Sequence, residues 1–340
     1  MDVDIKFIAA KAGVSIATVS RVINKTKKVS PELEKRVLKE IEKYGYRPNP
    51  LARGLILNRT NLIGVIVPNV SNIYHAKMLD IIEDCAEKYG YSVIVANVSS
   101  DFDKQKNTFR IFHERCVDGI LLLHENTNKE MNELLELVKV PVILVSVSVP
   151  ECALPSVGIN EVQAAFDAVS YLIRIGHRKI AGIFSDSYSL GILRKKGFMQ
   201  AMEKAQLDVK DNWILNGSCT IEDGERIAAI LLGQGELPTA VFCASDEIAI
   251  GVINSLFLHG YDVPKDMSVF GFDNINLSRI IRPNLSTVDQ PMEDIGKNAV
   301  VLMKSILEKS YIKNYNITLN HHLVLRNSCD TLQLDSSQIS

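Results

Sequence analysis

The chain of 340 residues has no cysteines in CxxC spacing, and no run in it approaches the roughly 18 apolar residues that a membrane span requires. Its six cysteines, Cys85, Cys116, Cys152, Cys219, Cys243 and Cys329, stand singly, which fits neither a disulfide framework nor a zinc knuckle. Cys243, within Val241-Phe242-Cys243-Ala244, reads as a small buried hydrophobe. Lys6 and Lys11 interrupt the opening segment, so no signal-peptide core is expected there, and the chain is expected to be soluble and cytoplasmic, with no membrane partner. Catalytic signatures are missing too: there is no GxGxxG, no P-loop and no GxSxG elbow. The seven histidines show no metal-ligand spacing tied to a carboxylate, and His177, in Gly176-His177-Arg178, reads as ordering the turn before a strand. These absences argue against an enzyme and against a metal or cofactor.

What the chain does have is an uneven charge. Its first 60 residues carry 13 basic and 6 acidic side chains, the remaining 280 carry 25 and 34, and the net −2 hides the contrast. A module of charge near +7 therefore precedes a body near −9, the footprint of a nucleic-acid reader on a neutral-to-acidic carrier. Length and a hydrophobic content of 46% allow two to three packed domains.

Within the basic module, Ile8, Ala9 and Ala12 share one helical stripe, and Gly13 stands where a tight bend needs a residue without a side chain. Ser15 then caps a second helix with Val19, Val22 and Ile23 turned inward and Ile16, Ala17, Thr18 and Arg21 outward. This is the helix-turn-helix arrangement, whose second helix enters the major groove. Arg21 suits either a guanine edge or a phosphate. Ser30-Pro31-Glu32 opens a third helix, as N-cap and first-turn proline, whose Leu33, Val37, Leu38 and Ile41 are expected to complete the core. Next, the segment from Asn49 through Ala52, Arg53 and Leu55 has room for little more than one and a half helical turns, too few to be stable alone. Paired with its mate across a dimer axis over the minor groove, it would place Leu55 as a wedge between base steps and Asn49 and Arg53 at phosphate or groove edges. A plain linker is the competing reading.

From Asn61 onward, apolar strand-like runs alternate with helical stretches, as in Leu62–Val67, Gly119–Leu123, Lys179–Phe184, Thr239–Ala244 and Ser268–Phe272. Such a series predicts α/β lobes with parallel sheets covered on both faces. Two similar lobes result, with ligands expected at the carboxyl ends of the strands, across a cleft. Ser71-Asn72-Ile73-Tyr74, Ser185-Asp186, Ser245-Asp246 and Asp273-Asn274 stand at such ends. Asp246 and Asp273 are candidate cleft residues, with helix capping as their other reading.

Gly13-Val14-Ser15, Thr18-Val19-Ser20-Arg21-Val22-Ile23-Asn24, Val29-Ser30-Pro31 and Gly45-Tyr46-Arg47-Pro48-Asn49 resemble the LacI/GalR family of bacterial transcription regulators. Asn61–Pro68, Val117-Asp118-Gly119-Ile120, Gly176–Ile180 and Gly271-Phe272-Asp273-Asn274 carry the likeness to about residue 329. The resemblance implies an all-α helix-turn-helix headpiece, a hinge helix and a two-lobed periplasmic-binding-protein-like core whose chain crosses between lobes near residues 160, 290 and 323. The implied limits are 1–48 for the headpiece, 49–60 for the hinge, 61–160 with 291–322 for the first lobe, 161–290 with 323–330 for the second, and 331–340 for a frayed tail.

By the same resemblance, Ile16, Ala17 and Arg21 take major-groove contacts, Thr18 and Asn24 take phosphates, and Leu55 is the minor-groove wedge within the hinge that also holds Ala52. Arg194 and Asp273, with a ring near Tyr74, take an effector such as a sugar or sugar phosphate. The implied function is that of a homodimeric repressor reading a pseudopalindromic double-stranded operator in carbohydrate or carbon-catabolite control, nucleoid-associated when bound. Gln290-Pro291-Met292-Glu293-Asp294-Ile295-Gly296 looks like the branch of the family whose corepressor is the serine-phosphorylated phosphocarrier HPr. Where relatives carry an arginine two turns past the match to Asp294, this chain has Val300-Val301-Leu302, which leaves Lys77, Lys297 and Lys304 to meet a phosphate. The alternatives are a local repressor governed by a cleft ligand without a phosphocarrier partner and, more remotely, a ligand-binding protein or enzyme with a vestigial headpiece.

Overall fold

A computed structural model describes residues 3–24, 27–46, 59–98, 101–123, 129–147, 154–185 and 189–331. The chain divides into two compact units, Met1–Asn61 and Leu62–Ser340. The first is helical: α1 (Ile5–Ala12), α2 (Ile16–Asn24) and α3 (Pro31–Tyr44). Asp4 caps α1 by accepting from Phe7 N at 2.7 Å. Gly13 then ends α1 in the left-handed region at φ 62°, a conformation that costs a residue with a side chain about 1 kcal/mol or more. Ser15 Oγ accepts from Thr18 N at 3.1 Å and so starts α2. The core is Ile8, Ala9, Ala12, Val19, Val22 and Val37, with Ile41 at its margin.

Two expectations for α3 are corrected. Leu38 lies on the exposed face, 49% accessible, because Val37 takes the inward position and the next residue is about 100° around the helix. Ser30 stands at the N-cap position but makes no side-chain capping bond. The sequence reading also had no counterpart for Arg36, whose Nη2 donates to the Ala12 carbonyl, tying α3 to the carbonyl end of α1.

The second unit holds two six-stranded sheets. The first runs β11-β5-β4-β3-β1-β2, all parallel, with β1 (Leu62–Val67), β2 (Ser92–Asn97), β3 (Gly119–Leu122), β4 (Val142–Val145), β5 (Ser156–Ile159) and β11 (Asn316–Leu319). The second runs β12-β10-β9-β8-β6-β7, with β6 (Ile180–Phe184), β7 (Ile214–Asn216), β8 (Ala240–Cys243), β9 (Ser268–Asp273), β10 (Ser286–Asp289) and β12 (His322–Val324), the last antiparallel to β10. The central strands β3, β4, β6, β8 and β9 are buried along their whole length, which is why they read as continuous apolar runs, whereas edge strand β2 is half exposed.

Helices α4 (Ile73–Lys88), α5 (Phe102–Glu114) and α6 (Lys129–Leu137) belong to the first lobe. Helices α7 (Glu161–Arg174), α8 (Ser189–Lys204), α9 (Ile221–Leu232) and α10 (Asp246–Leu258) belong to the second, and α11 (Met292–Leu307) returns to the first, packing on α4. The chain passes between sheets after β5, after β10 and between β11 and β12. Because His322 already pairs with Asp289 in the second sheet, the third passage falls at Asn320 and His321, just before the expected position. Cys243 is buried inside β8. His177 is buried as well, its ring nitrogens 2.9 Å from Thr239 Oγ1 and 3.1 Å from Ser268 Oγ.

Candidate nucleic-acid interface and interlobe cleft

On the helical unit, α2 presents Ile16, Ala17 and Arg21 to solvent, with Ile16 45% accessible, and Thr18 partly so. A large exposed isoleucine on a helix whose other side is anchored by Val19 and Val22 marks a face free for contact. The Thr18 hydroxyl sits 2.9 Å from Ser15 Oγ, so it is shared with the helix start. Arg21 has no ion pair with any described residue. Asn24 ends α2, and the hinge residues Asn49, Ala52, Arg53 and Leu55 lie outside the described residues.

In the larger unit a cavity of about 170 Å³ lies where the two sheets' strand ends face each other. Tyr74, Arg194 and Asp273 line it, as do Asn72, His75, Ser146, Ser185 and Ser245. The cavity exists because each strand ends on a turn into a helix, and Gly191 lets the first turn of α8 come close: a Cβ there would stand 1.9 Å from the Ser185 carbonyl oxygen.

Beneath the cavity runs a continuous polar chain. The Tyr74 hydroxyl is 2.8 Å from Ser146 Oγ and donates to Gln290 Oε1 at 3.2 Å. Gln290 Nε2 donates to Asp273 Oδ1 at 2.8 Å, and that carboxylate stands 3.3 Å from Arg194 Nη1. Arg194 Nε donates to Glu161 Oε2 at 2.7 Å and Nη1 to the Ala244 carbonyl at 2.5 Å, while the guanidinium lies 3.7 Å from the centre of the Phe272 ring. Gln290 and Glu161 sit at two of the three passages between lobes, so the cavity floor is joined to the interlobe crossings.

Burial opposes charge throughout this chain. It pushes the Tyr74 hydroxyl up and lifts both the Asp273 and Glu161 carboxyls, against the pull of Arg194. Burial likewise works against the Arg194 charge, but the Glu161 and Asp273 carboxylates outweigh it and hold the guanidinium above its ordinary range. Desolvation brings the His75 imidazole down to about 4, so it is neutral near pH 7.

Asp246 is not a cleft residue. It is fully buried behind the strand ends, where Oδ2 accepts from Ile275 N at 2.9 Å and Ser278 Oγ at 2.5 Å, and Oδ1 accepts from Thr287 Oγ1 at 2.5 Å. The cap of α10 is Ser245, accepting from Ile248 N at 3.2 Å, so neither reading of Asp246 holds: it ties α10 to β10 and to the segment that follows β9. Asn274 is also structural, donating to Asp289 and accepting from Arg326 at 2.7 Å each.

Several cleft groups escaped sequence reading. Glu161 and Glu247 carry no motif of their own, and their partners are 33 and 175 residues away. His75 was hidden inside an amphipathic helix. For the phosphocarrier candidates, Lys77 pairs with Asp80, Lys297 with Glu293 and Lys304 with Glu308, at 2.7, 3.3 and 2.8 Å, on the adjacent helices α4 and α11. Asp294 is exposed at the start of α11, and of the three residues standing for the relatives' arginine, Val300 and Leu302 are buried and Val301 is outward.

Among the described residues no helix is long and apolar enough to cross a membrane, and no cluster of three or more metal-ligating side chains occurs. Residues 4–49 match the model of bacterial regulatory proteins of the lacI family, and residues 169–329 match the periplasmic binding protein-like domain. The chain is 39% identical over 330 residues to catabolite control protein A of Priestia megaterium, an alignment that covers 96% of this chain and 99% of that one. Its fold superposes on the lac repressor dimer bound to operator and the anti-inducer ONPF with a TM-score of 0.88 at 25% identity, covering 97% of this chain and 100% of that one. On the regulator CelR in its cellobiose complex the TM-score is 0.73 at 26% identity, covering 96% and 100%. With a basic helix-turn-helix unit followed by a two-lobed core, and a likeness running nearly end to end, the chain belongs to the LacI/GalR family of DNA-binding transcription regulators, which are not enzymes.

Proposed function

We propose that this protein is a cytoplasmic, homodimeric repressor that reads a pseudopalindromic operator and answers to a small ligand in the interlobe cleft. The observation that carries the reading is the outward face of α2, Ile16, Ala17 and Arg21, on a module with more than twice as many basic as acidic residues. In this reading Ile16, Ala17 and Arg21 meet base edges, Thr18 and Asn24 meet phosphate, and 49–60 forms the hinge. One such helix covers half a site, so two copies are needed. Phe257, Leu258 and Ile280, 74%, 70% and 60% exposed on the second lobe, are apolar surface that a dimer would cover. The structurally similar lac repressor dimer bound to operator and anti-inducer, and CelR bound to cellobiose, support both halves of the proposal.

Fluorescence anisotropy at matched salt tests it. A symmetric duplex should bind at least about a hundredfold more tightly than a single half-site, and equal affinities would remove the dimeric reading. Leu55→Ala should weaken operator binding by about 1–3 kcal/mol and leave binding to random duplex near wild type, because only the operator complex gains from unstacking a base step. An equal loss on both duplexes would make Leu55 a bulk contact.

Lys77, Lys297 and Lys304, on neighbouring helices, favour a second reading in which serine-phosphorylated HPr is a corepressor. Each lysine already has a carboxylate partner and none offers a planar fork, so the preference for phosphorylated over unphosphorylated HPr should be modest, within about tenfold. Calorimetric titration with both forms decides: no preference leaves the cleft ligand as the regulatory input, and a preference above a hundredfold would mean that the lysines do the work of the missing arginine.

A further inference from the structure

Helix α1 ends on carbonyls that the helix itself cannot satisfy. The Gly13 and Val14 amides return to the Ala10 and Ala9 carbonyls at 3.3 and 3.0 Å, which closes the last turn without reaching the Ala12 and Gly13 carbonyls. Those two are met from α3. Arg36 Nη2 donates to the Ala12 carbonyl and, at 3.4 Å, to that of Gly13. The guanidinium is held at this end of α1 because the next residue, Val37, is fully buried in the three-helix core. A cation placed there also meets the negative end of the α1 dipole.

Gly13 is required twice at this contact. Its φ is 62°, and a Cβ there would stand 2.9 Å from Arg36 Nη2, so a side chain would push the guanidinium away. The bend so held, Gly13 to Ser15, sets the direction in which α2 leaves α1. The buried anchors of α2 are Val19 and Val22, with Ile23 at the margin, while Ile16, Ala17 and Arg21 lie on the exposed side. Glu32 and Glu40 stand four positions before and after Arg36 on α3, the spacing of a helical ion pair, yet neither pairs with it. The guanidinium is committed to the bend instead.

Resting on the operator-reading proposal, we infer that Arg36 is a positioning residue for the recognition helix: from α3 it braces the bend that aims α2, and it is not one of the cations that neutralise DNA phosphate. By charge alone it counts among the 13 basic residues of the first 60. The two roles differ in what they change. A phosphate contact strengthens binding to any duplex and steepens its salt dependence, whereas a brace on the bend matters only where Ile16, Ala17 and Arg21 must register with base edges.

Arg36→Met in the full-length protein keeps the apolar stem and removes the charge and the donors. Fluorescence anisotropy over a series of salt concentrations compares it with wild type on two probes, a symmetric duplex that the wild type selects from a randomised pool and a random duplex. Affinity for the selected duplex should fall about tenfold and affinity for the random one should stay within about threefold. The slope of log K against log salt should stay within about 0.3 of wild type. Hydrogen-exchange mass spectrometry without DNA should show the amides of residues 13–18 exchanging at least about threefold faster while α1 and α3 keep their protection. A slope shallower by about 0.9 with equal losses on both duplexes, an undiminished affinity for the selected duplex, or unchanged exchange at residues 13–18 would each overturn the inference. Should Arg36→Met unfold the helical unit, seen as lost protection across α1 and α3, Arg36→Lys decides. It keeps the charge but ends one atom short and lacks the fork, so the brace requires a loss of about threefold or more on the selected duplex, and wild-type affinity would make Arg36 a phosphate contact. The exchange measurement keeps the two readings apart: a wild type that selects no duplex sinks operator reading, and exchange at residues 13–18 still judges the brace.

Discussion

Arg194→Met should lower the stability of the core by about 3–5 kcal/mol at pH 7.5, the loss expected when one partner of a buried ionic cluster is removed. The wild-type guanidinium answers Glu161 at 2.7 Å and Asp273 at 3.3 Å and packs on Phe272. Methionine restores much of the volume and none of the charge, leaving two buried carboxyls. Their pKa values, already raised by burial, would rise further without Arg194. A group with a raised folded-state pKa stabilises fully below its unfolded value and loses that contribution as pH rises through the folded value, so the deficit of the variant should shrink on acidification from pH 7.5 toward pH 5. Urea unfolding at both pH values and fixed protein concentration measures it. Adding Glu161→Gln and Asp273→Asn should recover most of the loss. A single-variant deficit under about 1 kcal/mol at pH 7.5, or one that grows at low pH, would show that the cluster does not hold the lobe together.

Asp246→Ala is expected to cost nearly as much, about 3 kcal/mol or more, although Asp246 touches nothing in the cavity. It would orphan three buried donors at once, Ile275 N, Ser278 Oγ and Thr287 Oγ1, each of which costs about 1–3 kcal/mol when left unmet, with rotation of the hydroxyls recovering a part. Asn at this position keeps one acceptor oxygen, and a hydroxyl can turn to accept from its amide, so Asp246→Asn should be much milder. The two variants also separate by pH. Burial, held back by the three hydrogen bonds, raises the Asp246 carboxyl to about 6, so its ionisation weakens the wild-type fold as pH climbs from about 4 to 6. The asparagine variant lacks that term and should gain on wild type over that window, by an amount on the order of 3 kcal/mol. Equal pH profiles for wild type and Asp246→Asn would mean that the carboxyl is not the buried acid its surroundings imply.

Asp246 and Asp273 illustrate where sequence reading stops. Both follow an apolar strand, both precede a turn, and local pattern treats them alike. Only the register of β8, β9 and β10 turns one toward the cavity and the other behind it. Leu38 shows the same limit on a small scale, since a heptad-like pattern names a stripe but cannot say where its margin meets solvent.

Local chemistry was sufficient for the rest. The bend at Gly13, the cap at Ser15 and the outward face of α2 depend on residues within a few positions of one another, so propensity and capping rules reach them directly. Central strands read clearly because burial on both faces demands unbroken apolar runs, whereas β5, β7, β10, β11 and β12 are short and interrupted by polar residues or glycine, which leaves no apolar run to register. The sequence by itself thus determined the helix-turn-helix, the charge contrast and the two α/β lobes, all products of short-range geometry and hydrophobic period. The tertiary structure alone decided which carboxylates share Arg194, that Glu247 meets Asn72 at the start of α4 and which aspartate reaches the cavity, because those pairings join residues up to 175 apart through strand order and lobe crossings that no local pattern encodes.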